Sequence, residues 1–288
     1  MLWILSALFA AFSEATKDYF SKRAMKNVNH YIAAWALMAL TLPFLLIALI
    51  FVGIPEIGPL FFHALIANST IYTVGVVLYM KAISKSPLSL TLPMIAFTPV
   101  FMLITGPLIL GEFPKTIGFL GIVSVVVGAY VLKVKDIKKG LLSPFVSLVK
   151  EGGPLIMLFV ALLWSFTAVT AKFLVNQSSP VFAMVSIYFI TTIIFTAFIF
   201  ITKKVKTKDI SKNFKKIIGI GFFMSLAEIG LVYSFTMTLA IYAITVKRLS
   251  ILIGSFYGFK FFKEKDIIQR VSGSLLMLLG IILIAVYS

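Results

Sequence analysis

The chain has 288 residues, 60% hydrophobic and only 12% charged, with a mean hydropathy of +1.08; a water-soluble domain of this length could not cover that much apolar surface, so the bilayer is its solvent. The formal net charge of +16 does not signal a nucleic-acid partner, because most lysines and arginines sit in short loops between apolar runs, with no basic tail and no nucleic-acid motif. Cysteine is absent, which excludes disulfides, thiolate metal sites and cysteine nucleophiles.

A transmembrane helix takes about 20 largely apolar residues. That length predicts spans over residues 2–22, 31–52, 60–80, 87–110, 115–133, 154–174, 181–202, 216–236, 239–261 and 267–287. Met1 to Phe12 lacks a positive leader region, so the first run reads as a span and not as a cleaved signal. Glu14 lies just past its middle. Lys17 and Asp18, three and four residues on, share its face, so Lys17 is placed to neutralise either acid. His30 and His63 fall near span ends and read as interfacial. Pro55 and Pro59 punctuate the gap before the third span, where Asn68, Ser69, Thr70, Tyr72 and Thr73 cluster. Pro93, Pro99 and Pro107 are expected to kink the fourth span and free backbone carbonyls for gating. Glu112-Phe113-Pro114 closes it. Residues 134–153, with Lys135, Lys138, Lys139 and Lys150, form the longest polar stretch and read as a basic cytoplasmic linker between residues 1–133 and 154–288. Within it, Leu141 to Val149 is expected to lie in the interface as a short helix.

The second half repeats the first. Glu14 to Lys22 can be laid over Trp164 to Lys172, each followed by a polar turn, Asn27 to His30 and Asn176 to Pro180. A carboxylate in one copy therefore stands where the other has a tryptophan. Glu112 aligns with Glu264, and Gly121 and Gly128 align with Gly273 and Gly280 at the same offset. Small residues seven apart share a helical face and let backbones approach closely in lipid. Five helices per half is an odd number, so the second half enters the membrane the opposite way up. Loops 1–2, 3–4, 5–6, 7–8 and 9–10 carry nearly all the lysine and arginine, including Lys203, Lys204, Lys206, Lys208, Lys212, Lys215 and Lys216 in one loop. The positive-inside rule makes those loops cytoplasmic and both termini external. The expected fold is an all-α polytopic membrane protein, ten transmembrane helices as two inverted five-helix repeats.

An ionisable side chain at mid-bilayer costs roughly 2.5 kcal/mol or more, so each one calls for a reason. Besides Glu14, Glu228 sits near the centre of the eighth span, and Lys247 and Arg248 midway through the ninth, where the first half has Ile95 and Ala96. Glu228 has a bland alternative, a structural salt bridge to Lys247 or Arg248. Two adjacent cations beside a single obvious acid leave one surplus positive charge, suited to a carboxylate or phosphate on a substrate. The ninth span lacks the prolines of the fourth, so the halves are expected to move differently. Tyr79 and Tyr233, near the ends of the third and eighth spans, fit an interfacial belt as well as they fit substrate contact.

Ten spans in two halves, the Trp164-Ser165…Lys172 start of the second half, and glutamates closing the fourth and ninth spans resemble the drug/metabolite transporter superfamily, nearest its EamA-like branch. The resemblance implies a secondary carrier of small organic metabolites, with a central cavity lined by the first four helices of each half and the fifth and tenth at the periphery. Ala10-Ala11-Phe12-Ser13-Glu14, with Lys22 eight residues on, is similar to the small multidrug resistance proteins, where such a carboxylate binds protons and cations in alternation. Trp164 breaks that pattern in the second half.

The expected function is alternating-access transport of a small anionic or zwitterionic metabolite across the cytoplasmic membrane, as exporter or exchanger. Lys247, Arg248, Glu14, Glu228, Asn68, Tyr72, Tyr79, Trp164 and Tyr233 are the candidate substrate residues, and Glu14 or Glu228 exchanges protons. The alternatives are proton-coupled efflux of cationic amphipaths centred on Glu14 and, remotely, an intramembrane enzyme acting on a lipid-linked phosphate, for which no His-rich, Ser/His/Asp or Asp-rich set is present. No cofactor or metal is called for, and the Gly-x-x-x-x-Gly-Lys-Ser/Thr motif is missing. The expected partners are the solute and the bilayer, with the chain a monomer or weak homodimer.

Overall fold

A computed structural model describes residues 2–131, 152–203, 205, 207–262 and 268–287. Nearly all of the expected linker, its interfacial helix and Glu264 lie outside the described residues. Every regular element among the described residues is a helix. In chain order they are α1 Leu2–Ala24, α2 His30–Ala39, α3 Leu42–Val52, α4 Phe61–Lys85, α5 Leu88–Thr91, a 3-10 segment Leu92–Phe97, α6 Thr98–Leu110, α7 Thr116–Val131, α8 Gly153–Asn176, α9 Pro180–Thr202, α10 Thr207–Phe235, α11 Ala240–Lys247, α12 Ser250–Phe262 and α13 Ile268–Tyr287.

Among the described residues, seven stretches are long and apolar enough to cross a bilayer, and Thr116–Gly128 and Leu275–Ile284 are shorter apolar helices. α1 has the length too, and its buried Glu14, Lys17 and Asp18 set it apart from a purely apolar span. Large apolar side chains such as Ile50, Phe51, Leu108 and Ile201 point outward, as expected where lipid is the surrounding solvent. The protein is an all-helical, multi-pass membrane protein built from two repeats.

The repeat extends to helix caps. Asn29 accepts a hydrogen bond from the Ile32 amide at the start of α2 (2.9 Å), and Ser179 accepts one from the Phe182 amide at the start of α9 (3.4 Å). Both cap the second span of their half. Lys22 donates to the Ser86 carbonyl (2.8 Å) and Lys172 to the Thr238 carbonyl (2.7 Å), so each first helix holds the chain just after its third span.

Three spans are interrupted. The second breaks between α2 and α3. The fourth contains the 3-10 segment, with Pro93 near its start, as its prolines predict. The ninth breaks as well, although it has no proline: after α11 the amide of Leu249 bonds the carbonyl of Val246 (3.0 Å) and that of Ile251 the carbonyl of Arg248 (3.0 Å). The ninth span is thus interrupted without the proline that marks the break in the fourth. The eighth span also begins earlier than hydropathy indicates, because Lys208, Lys212, Lys215 and Lys216 lie on the opening turns of α10.

α1 packs along α10, and α4 along α8, two arrangements related by exchange of the halves. α7 and α13 pack against each other. A methyl group built on Gly121 would fall 2.7 Å from the Gly280 carbonyl oxygen, and one on Gly280 would fall 2.5 Å from that of Gly121, so both positions must be glycine for the backbones to touch.

Candidate functional site

The helices that bring charge into the membrane converge between the halves. Glu14 comes from α1, Glu228 from α10, Lys247 from the end of α11, and Arg248 from the break that follows. All four are buried, with relative exposures of 3%, 7%, 5% and 2%. They line one cavity with Asn68 and Tyr72 of α4, Trp164 and Thr167 of α8, Tyr188 of α9 and Met224 of α10. It encloses about 570 Å³ of space between atoms, its open mouth included.

The Lys247 ammonium lies 2.8 Å from Glu14 Oε2 and 3.9 Å from Glu228 Oε1. Of the two acids on its face, Lys17 forms its ion pair with its own neighbour Asp18 (2.5 Å), and the Tyr79 hydroxyl also donates to Asp18 Oδ1 (2.5 Å). Lys17 further sits 4.4 Å from the centre of the Tyr79 ring, a cation–π contact. With Lys17 committed elsewhere, the cavity holds two acids and two cations. The expected surplus of one positive charge is corrected to a balance, because Glu14 of the other half supplies the second acid.

The balance is uneven in space. Lys247 serves both carboxylates, so that cluster carries a net negative charge. Arg248 meets no carboxylate within 4.0 Å among the described residues. One guanidinium N–H donates to Thr98 Oγ1 at the start of α6 (3.0 Å), and its Nε–H has no hydrogen-bond partner. A buried donor without a partner costs about 1–3 kcal/mol, which a ligand carrying a carboxylate could recover.

The remaining candidates separate. Asn68 is fixed by hydrogen bonds from its amide to the Thr167 carbonyl (2.8 Å) and Thr170 Oγ1 (2.6 Å), which join the halves at the cavity edge. Tyr72 meets Tyr188 hydroxyl to hydroxyl at 2.5 Å. Trp164, the counterpart of Glu14, lines the cavity and stacks on Tyr79 with ring centres 4.9 Å apart. Tyr79 is buried and stands behind Trp164, bonded to Asp18, so it is neither interfacial nor on the cavity wall. Tyr233 is exposed on α10, away from the cavity. His30 opens α2 and His63 is exposed in the first turns of α4, both near span ends. Sequence reasoning missed Tyr188, Thr167 and the place of Tyr79 against the Lys17–Asp18 pair, one of the two pairings the spacing allowed. Asp18 was readable as a second acid one turn from Glu14, but Tyr188 carried no signal beyond being one polar residue in an apolar run.

A family model for the EamA-like transporter family matches residues 1–134 and again residues 152–286. A solved crystal structure of another protein superposes on 98% of this chain and 96% of its own length, with a TM-score of 0.68 at 12% sequence identity, a likeness of fold alone. No curated protein matches the chain.

Proposed function

We propose a specific carrier function from one premise: the chain belongs to the EamA-like transporter family. The protein is accordingly a membrane transporter of the drug/metabolite type, and we infer that its solute is a small zwitterion, an α-amino acid or a molecule of similar charge layout. The observation that carries this reading is the division of charge in the cavity. The Glu14–Lys247–Glu228 cluster is one charge negative, while Arg248 is a cation without a carboxylate partner. A solute with an ammonium group toward Glu228 and a carboxylate toward Arg248 completes both sides without adding net charge to a low-dielectric site. A simple anion would leave the acidic cluster with no partner, and a simple cation would leave Arg248 as it is.

Glu228 is the better proton exchanger of the two acids, because Lys247 is more than 1 Å farther from it than from Glu14. Efflux of cationic amphipaths at Glu14 would first have to displace Lys247 from a 2.8 Å ion pair. The basic loops face the cytoplasm and both termini lie outside, following the positive-inside rule. Residues 1–133 and 154–288 act as the two moving units, each contributing cavity residues, so one chain suffices.

The test is uptake into proteoliposomes of tritiated neutral α-amino acids, monocarboxylates and monoamines. Uptake of the amino acids, abolished in Arg248→Gln, is the expected result. Transport of monocarboxylates or monoamines in preference, or an Arg248→Gln carrier as active as the parent, rejects the zwitterion.

A further inference from the structure

Away from the central cavity, a second cluster ties the halves together where the fourth span ends. The Glu112 carboxylate forms an ion pair with Lys172 of α8 and accepts a hydrogen bond from the Ala240 amide (2.9 Å). Lys172 also donates to the Thr238 carbonyl (2.7 Å), and the Lys115 amide donates to the Tyr242 hydroxyl (3.0 Å). Glu112 and Lys115 belong to the first half, and Lys172, Thr238, Ala240 and Tyr242 to the second. Neither side chain of the Glu112–Lys172 pair is well exposed, at 17% and 8%, so water screens it little.

Two features make this more than a structural tie. Ala240 is the first residue of α11, whose eight residues end at Lys247. Glu112 thus holds the positive N-terminal end of a rod about 12 Å long, and the other end presents the cavity's cations. In addition, Glu112, Lys115, Lys172, Thr236 and Tyr242 line a vestibule that opens on this face. Phe235 lines both this vestibule and the central cavity, so the two spaces meet at that residue.

We propose that Glu112 is a positioning residue that latches this face shut, and that α11 links the latch to the Lys247–Arg248 site. Solute crossing Phe235 requires the Glu112 contacts to Lys172 and Ala240 to break, and the movement of α11 that breaks them shifts Lys247 against Glu14 and Glu228. The proposal rests on the carrier reading above.

The absence of native cysteine allows a direct test. In proteoliposomes, a Glu112→Cys/Lys172→Cys carrier takes up tritiated neutral α-amino acids when reduced, loses uptake when the pair is bridged by a bis-methanethiosulfonate cross-linker of side-chain length, and regains it when the bridge is reduced. A carrier shown by mass spectrometry to be bridged that transports as well as the reduced one overturns the latch. A second measurement needs no solute: spin labels at Lys115→Cys and Thr236→Cys report the distance across the vestibule by pulsed electron resonance. Glu112→Gln is expected to add a longer distance population, and an unchanged distribution overturns the latch. No uptake by the parent, beside a shifted distribution in Glu112→Gln, rejects the zwitterion and keeps the latch.

Discussion

The fourth and ninth spans are interrupted at the same register by unlike means. In the first half a 3-10 segment carrying Pro93 runs from Leu92 to Phe97 and α6 begins at Thr98; in the second, the break falls at Arg248 and Leu249 and α12 begins at Ser250. The two breaks touch, since Arg248 donates to Thr98 Oγ1 while Thr98 donates to the Ile95 carbonyl (2.7 Å). Proline opens a helix by withholding an amide and crowding the preceding turn. The charged break has no such covalent cause, and the pull of Glu14 and Glu228 on Lys247 is the available physical reason for it. A symmetric scaffold therefore carries an asymmetric site, one half supplying a hinge and the other the cations.

The sharpest way to break this comparison is Lys247→Met, which leaves Glu14 and Glu228 buried without their ion-pair partner. It should lower stability by about 3–5 kcal/mol, visible as a large drop in the melting temperature of the detergent-purified protein. Adding Glu14→Gln should recover part of that loss. Arg248→Met should behave in the opposite sense, because no carboxylate forms an ion pair with it within 4.0 Å among the described residues: melting temperature unchanged or higher, and amino-acid binding weakened by about 1.5–3 kcal/mol, or roughly tenfold to a hundredfold, by calorimetry. A melting drop matching that of Lys247→Met would mean the two cations are equivalent. Pro93→Ala tests the hinge, and a lower maximal uptake rate with unchanged half-saturation is expected in flux measurements. The smallest effect belongs to Asn68→Ala, which removes side-chain bonds joining α4 to α8 and should cost about 1 kcal/mol in the same melting assay.

Hydropathy located the spans because it sums over some twenty residues, and small errors at the ends hardly matter to such a sum. It failed at the start of α10, where lysines on opening helical turns look like a loop. The mid-membrane charges were legible one at a time, since each violates the cost of burial in lipid. Their pairing was not. Glu14 has a lysine three residues away, but the chain brings Lys247 to it from the far half, and no local spacing encodes that choice. The Glu14 and Trp164 correspondence was visible as an alignment, and the fold places both residues on the wall of one cavity. The partners of Arg248 and Tyr72 depend on which helix faces turn inward, and apolar periodicity is silent on this when lipid and protein interior are equally oily.

The contact between Gly121 and Gly280 sets how closely the two halves can meet through α7 and α13. Ile284 and Val125 already fill the space beside the two glycines, so a single methyl group added at either one would act as a wedge between the backbones.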